Sequence, residues 1–540
     1  MGTLFTNGAV FDGHRYLGAR SVLVEDGRVT SVVEEVAQQP SRDHDVVDLG
    51  GGLVSPSFTD AHVHPIQGGL ERLRCDLSEL STREEYLAAI KAYADANPDL
   101  EWILGGGWGM PAFPGGNPTA ADLDAAVPGR AVFLPNRDHH GAWVSSRAME
   151  IAGLDRDTPD PPDGRIERDA DGHPTGTLHE GATALVSRFL PRTTGADYYA
   201  ALLAGQAYLH SLGVTAWQDA IVGAYSGMDD PASTYTSAAA NGDLRSQVVG
   251  ALWWERRLGV EQVADLVGRR DAMTAGRFRA TTVKIMQDGV AENGTAAMLD
   301  PYLDRCGHAT ENRGHSFVEA GSLREAVTAL DAAGFQVHVH AIGDRGMREA
   351  LDAFEGTDPE RRHHIAHLQL IHPDDVPRFG ALGVAANMQA LWACLDEQMI
   401  DLTLPFLGET RSAWQYPFGD LHRAGARLVA GSDWPVSTPD PLAAIHTAVT
   451  RTAYGDEGRA GSEPFLPEQA LALETAFAAY TSGSAWINGR DRTDGGGVLA
   501  PGAAADLVVL DRDPFSGRPE EIGAARVVST WIDGERVFGG

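Results

Sequence analysis

The sequence predicts an α/β protein: a (β/α)8 barrel, with a small β-sandwich domain formed by both termini and an insertion after the first barrel strand. Three observations predict it. Eight strand-like apolar runs recur through the middle of the chain, most of them followed by helical patterns, as repeated βαβ units require. The two ends instead alternate apolar and polar residues between turn signals. One gap between successive strand candidates is also far too long for a single connecting helix.

In chain order, residues 4–54 read as short antiparallel strands in LFTNGAVFDG, ARSVLVEDGRVTSVVEE and DVVDLGGGLV. The C-terminal ADLVVLDRDPF and RVVSTWIDGERVF have the same texture, so residues 1–56 and 490–540 are expected to build one composite β-domain. The barrel is expected within 57–489. Its strand candidates are PSFTDAHVH, GVTAWQD, SQVVGALWW, TTVKIM, FQVHVHAIGD, HHIAHLQLI, GVAANMQ and ARLVAGSDWPV. Residues 65–212, rich in Gly and Pro at GGGWGMPAFPGGNP, are the expected insertion, placed over the barrel mouth.

Composition narrows the function classes. A chain of 540 residues has room for two or three domains, and 43% hydrophobic residues with 62 glycines suit a compact enzyme. A formal net charge of −32 argues against a nucleic-acid partner, since phosphate binding needs a basic surface. Cys75, Cys306 and Cys394 are too widely spaced for a disulfide framework or a thiolate zinc knuckle. No apolar run is long enough to cross a bilayer, so no membrane partner is expected. The N-terminus has no basic segment leading into an apolar one, which makes the cytoplasm the expected location. The expected partner is a small-molecule substrate, and a homodimer is the commonest default assembly.

Of 43 basic residues only two are lysines, Lys91 and Lys284. Lys91 lies in a polar helical stretch. Lys284 lies in the apolar run TTVKIM, where a long cation is expensive to bury. A chain that otherwise uses arginine has lysine here, which suggests a task that needs a neutral amine able to react with carbon dioxide. A snorkelling or salt-bridged lysine is the alternative.

Reacting groups in such barrels gather at the C-terminal ends of the strands. His62 and His64 alternate on an extended run, so both imidazoles share one face and can reach one ion. Lys284, His340 and His367 follow on three later strands. His340 lies nearer its strand end than His338, and His367 nearer than His363 or His364. Asp433 follows the apolar RLVAG. Each residue alone has an ordinary explanation, a core histidine or a turn aspartate. Together, at the ends of five strands, they predict a metal site.

With these residues assembled, the sequence resembles the amidohydrolase superfamily, and within it the YtcJ-like branch that includes N-substituted formamide deformylases. The resemblance rests on PSFTDAHVH, VKIMQDG, HVHAIGDRG, IAHLQL and AGSDWPVSTPDPL, with APGAAADLVVLDRDP near the C-terminus. HHGAWVSSRAM and GRIERDADGHPTGTLHEGA extend it into the insertion. Ser57 stands where the family more often has glycine, which touches the turn and not the ligands. The resemblance implies two zinc ions bridged by a carboxylated Lys284. His62, His64 and Asp433 would hold the more buried ion, and His340 and His367 the other. It implies hydrolysis of a non-peptide C–N bond, with Asp433 taking the proton of the attacking water and passing it to the departing nitrogen.

His140, Trp143, Glu292, Gln389 and Trp434 are candidate substrate-binding residues because they fall in loops or strand ends expected to face the pocket. Ordinary packing is the alternative for the tryptophans, and a solvated loop for Glu292. Asp219, ending the second strand, is either a partner of the site or a turn residue. Rival functions on the same residues are hydrolysis of an ester, urea or cyclic amide, a metal-dependent lyase or isomerase, and a barrel kept only as a binding module.

Overall fold

A computed structural model describes residues 2–34, 44–225, 228–455 and 463–539. Residues 1, 35–43 and 540 of the expected terminal domain, and 226–227 and 456–462 of the expected barrel range, lie outside the described residues.

Eight strands form a parallel sheet in strict chain order: β1 (Phe58–Val63), β2 (Val214–Val222), β3 (Gln247–Trp253), β4 (Phe278–Met286), β5 (Gln336–Ala341), β6 (His364–His367), β7 (Ala385–Met388) and β8 (Leu428–Ala430). Each falls on one of the runs singled out in the sequence. Parallel strands buried on both faces need no alternation, which is why VVGAL in β3 and LVA in β8 carry no polar side chain.

The ends of the sheet meet at the segment that carries the chemistry. The Asp433 amide donates to the His62 carbonyl at 2.7 Å, and the His64 amide donates to the Trp434 carbonyl at 2.8 Å. Asp60 clasps the same seam: its carboxylate accepts from the His62 amide at 3.0 Å and from the Ser432 hydroxyl at 2.6 Å. Gly431 is required here, because a Cβ on it would sit 2.5 Å from the His62 nitrogen.

Strands from both termini join in one nine-stranded sheet. Leu53–Pro56 pairs antiparallel with Leu507–Leu510, which ties the C-terminal segment to the N-terminal one. Phe5, Val24, Val29, Leu507 and Val509 share one apolar cluster, and Trp531 meets Phe5 edge-on at 5.3 Å. Strands of both ends thus share one β-sheet, where a sandwich was expected. Hydrogen bonding runs through all nine strands as a single sheet.

Between β1 and β2 a six-stranded sheet spans Cys75–Asp76 to Pro174–Glu180. The helices on either side of it, Pro65–Leu73 and Gly195–Ser211, pack on each other. The closest approach is tight: a Cβ on Gly69 would lie 2.0 Å from the Ala201 carbonyl oxygen. Among the described residues no helix is long and apolar enough to cross a membrane.

Candidate metal centre

The six residues expected as ligands converge at the C-terminal mouth of the barrel and line one small pocket. His62 and His64 leave β1 two residues apart, and their Nε2 atoms lie 3.1 and 2.9 Å from Asp433 Oδ1. Ligand atoms of these three residues all lie within 4.8 Å of one another, close enough to share one ion. Lys284 Nζ approaches His62 Nε2 at 3.5 Å. His367 Nδ1 is 3.8 Å from Asp433 Oδ2, and its ring lies 4.3 Å from that of His340. Asp433 and His367 are both held at positive φ, 58° and 84°, a conformation that non-glycine residues rarely adopt. The turn of the chain at those two points aims their side chains inward.

The donor set fits a cation. His367 is 2% exposed, and among the described residues neither of its ring nitrogens has a hydrogen-bond partner. His64 Nδ1 is likewise buried without one. A native interior leaves such atoms unpaired only at a cost, and imidazole lone pairs around a carboxylate are what a zinc ion takes as ligands. Burial, reinforced by the nearby Lys284 cation, lowers the His62 pKa to about 3, keeping the ring neutral as a ligand must be. Burial of Lys284, only partly offset by Asp433, brings its amine down to about 7. Burial also acts to raise the Asp433 pKa, but the surrounding histidines outweigh it and hold the carboxyl well below the usual carboxylate range.

The opposite wall comes from the inserted sheet. Strand Gly141–Val144 pairs antiparallel with Pro174–Glu180, so His140 and Glu180 stand side by side. His140 Nδ1 lies 2.9 and 3.0 Å from the two Glu180 oxygens. Burial would lower the His140 pKa. The carboxylate beside it outweighs burial and holds the value up at about 9, which favours the imidazolium form of a ring that faces His340. Its ring is 5.9 Å from that of His340.

The family model described as the amidohydrolase family matches residues 45–538. The chain belongs to the amidohydrolase family. It is 29% identical to the YtcJ protein of Bacillus subtilis (strain 168), over 96% of both chains. It is 27% identical to the N-substituted formamide deformylase of Arthrobacter pascens, over 96% of this chain and 94% of that one. A crystal structure of an uncharacterized metal-dependent hydrolase from Pyrococcus furiosus superposes with a TM-score of 0.70, at 25% identity over 96% of this chain and 100% of that one. The sequence resemblance to the YtcJ-like amidohydrolases is therefore upheld.

Of the five substrate-binding candidates, His140 lines this amidohydrolase pocket and the other four are placed elsewhere. Trp143 is wholly buried in the core of the insertion, its indole N–H donating to the Thr119 carbonyl at 2.7 Å. Trp434 turns away from the pocket: its backbone is pinned by His64, and its ring packs on Tyr208 at 5.3 Å and over Gly68. Gln389 stands behind the end of β6, its side-chain oxygen accepting from the His367 amide at 2.7 Å. Glu292 accepts from the Thr403 hydroxyl at 3.1 Å, between the loops that follow β4 and β7. Asp219 accepts from the buried Tyr235 hydroxyl at 2.6 Å.

The wall also has residues that the sequence did not single out. Glu180 orients His140. Trp392 stacks on His367 with ring centroids 5.5 Å apart and 9° between planes. Tyr225 and Trp253 close the far side, 4.8 Å apart. The available signal was that HHG leads into one strand-like run and HEG closes another. Nothing in a 40-residue separation says that those runs pair.

Proposed function

We propose that this amidohydrolase is a zinc-dependent enzyme that cleaves a non-peptide C–N bond of a small molecule, an N-substituted formamide. The observation that carries the reading is the convergence of His62, His64, Lys284, His340 and Asp433 around His367, whose two buried nitrogens have no hydrogen-bond partner among the described residues. The similarity to a relative named N-substituted formamide deformylase supports the choice of substrate.

His62, His64 and Asp433 would hold one zinc, His340 and His367 the other, and a carboxylated Lys284 would bridge them. An amine brought down to about 7 is available in neutral form for carboxylation. Zinc in this position supplies a Lewis acid and lowers the pKa of water. The chain supplies the rest. Asp433, ionised and aimed into the pocket, takes the proton of the attacking water and returns it to the leaving nitrogen. The His140 imidazolium donates to the substrate's carbonyl oxygen as negative charge grows there. The insertion, which we place at residues 65–212, closes the mouth with His140 at its tip.

Size supports a small acyl group on a large amine. The space at the ligands is about 70 Å³. Past His139, Tyr225, Trp253 and Met286 it adjoins a cavity of about 560 Å³ walled in part by Leu185, Trp254 and Phe317. The formyl carbon takes the first space and the amine substituent the second.

The test is formate release from N-benzylformamide by zinc-loaded protein, with N-methylbenzamide as the size-reversed control. Chelator-sensitive release, with a preference for the formamide of about 100-fold or more, is the expected result; that ratio is a little under 3 kcal/mol of differential transition-state binding. No release from zinc-containing protein would remove deformylation, and product analysis would turn to esters, ureas, cyclic amides and lyase or isomerase chemistry.

A further inference from the structure

Beneath the ligands lies a second polar layer that does not line the metal pocket. Gln218 of β2, Thr282 of β4, His338 of β5, His364 of β6 and Asn387 of β7 are all fully buried, and Gln336 nearly so. So much polarity in a barrel core is costly unless every group is paired. Here the pairing has a direction, and backbone groups set it.

Gln336 Nε2 lies 2.9 Å from two backbone carbonyls, those of Arg362 and Ile487, so it must be the amide nitrogen. Gln336 Oε1 then accepts from Thr282 Oγ1 at 2.8 Å and from Gln218 Nε2 at 2.9 Å. That orients Gln218, whose Oε1 accepts from His338 Nδ1 at 2.7 Å and His364 Nε2 at 3.1 Å. From the other side, Asn387 Nδ2 donates to the Ala61 carbonyl at 3.0 Å and to His364 Nδ1 at 3.1 Å. Both ends of the chain of bonds therefore agree that His364 carries its proton on Nε2, and the Gln218 end places that of His338 on Nδ1.

His338 Nε2 is left as a lone pair, 2.9 Å from His62 Nδ1. Its side-chain hydrogen-bond partners are Gln218 and His62, neither of them a carboxylate, so nothing calls for a second proton on the ring. It must accept from His62. We propose that this layer is a tautomer lock: Gln336, Gln218 and His338 hold the proton of His62 on Nδ1, so that the Nε2 lone pair is always presented to the metal beside Asp433. The inference rests on the reading of His62 as a metal ligand. His338 is a positioning residue, acting through His62. An imidazole is an uncommon acceptor for this purpose, and unlike a carboxylate it adds no charge to a site that already holds Asp433.

Zinc affinity, measured by chelator competition, tests the lock independently of turnover. His338→Leu removes the acceptor, while His338→Gln can place an amide oxygen near the same point. The leucine variant is expected to bind zinc about 10- to 100-fold more weakly, the range for loss of a ligand's supporting hydrogen bond, with the glutamine variant recovering most of that loss. Equal affinity for wild type and His338→Leu overturns the lock, and so does a glutamine variant as weak as the leucine one. Should neither variant fold, 15N spectra of histidine-labelled wild-type protein, stripped of metal, decide. The lock requires the Nδ1–H tautomer at both His62 and His338, and any other pattern overturns it. Wild-type protein that takes up no zinc would instead defeat the ligand reading itself.

Discussion

His367 and His140 face each other across one pocket and are in opposite states. His367, on the barrel wall, is buried beside His340 and His62 with neither nitrogen hydrogen-bonded among the described residues, and burial pushes its pKa well below the ordinary value. His140, on the insertion wall, is almost as buried, yet the Glu180 carboxylate holds it charged at about 9. Depth of burial does not separate them; the partner does. Lone pairs facing a pocket make a metal ligand, and an imidazolium held by a carboxylate makes a hydrogen-bond donor. On the proposed reading the two walls divide the chemistry, with metal and proton transfer on the barrel and charge stabilisation on the sheet between β1 and β2.

The largest expected effect is at the point both walls serve. Asp433→Ala should lower kcat by about 10³-fold or more, within the range for loss of a general acid–base, while leaving much of the zinc in place. Full activity in that variant would remove Asp433 from proton transfer.

The division itself is broken or sharpened by a pair of variants. His367→Ala should lose zinc, falling towards half of the wild-type content by elemental analysis. His140→Ala should keep the full content and lose about 10- to 100-fold in kcat. Zinc lost equally from both would mean that the insertion also ligates.

A smaller effect, with a defined pH dependence, is expected of Glu180→Gln. The His140 pKa is raised above its unfolded value of about 6.5, so the pair contributes stability that is fully present below pH 6.5 and lost as pH rises through about 9. The variant should therefore melt earlier than wild type at pH 6 and draw level with it above pH 9, by calorimetry. A difference that does not vary with pH would mean that His140 is neutral throughout.

Trp143→Phe should change least. It loses one buried hydrogen bond to the Thr119 carbonyl, about 1 kcal/mol of stability, with kcat/KM unchanged. A change in substrate preference would bring that indole back towards the pocket.

Much of the barrel wall was legible in the sequence. Strand ends can be found from apolar runs, and the alternation of His62 with His64 follows from the two-residue period of an extended chain. The insertion wall was not, because its pairing is between segments and not along them. His140 and Glu180 meet only when strand Gly141–Val144 lies against Pro174–Glu180. Gln389 and Trp434 show the limit in the other direction. Both lie at strand ends, as expected, but the hydrogen bond from His367 holds the first behind the site, and the pinned backbone turns the ring of the second outward.

By itself the sequence determined the order of eight parallel strands, the β-character of both ends and the residue types gathered at the barrel mouth. These follow from periodicity and composition, which are local properties of the chain. Only the tertiary structure decided which of those side chains share a pocket, which histidine has a carboxylate beside it, and which residue stands behind His62. Those depend on burial and on hydrogen-bond partners supplied by distant segments, and no spacing along the chain encodes them.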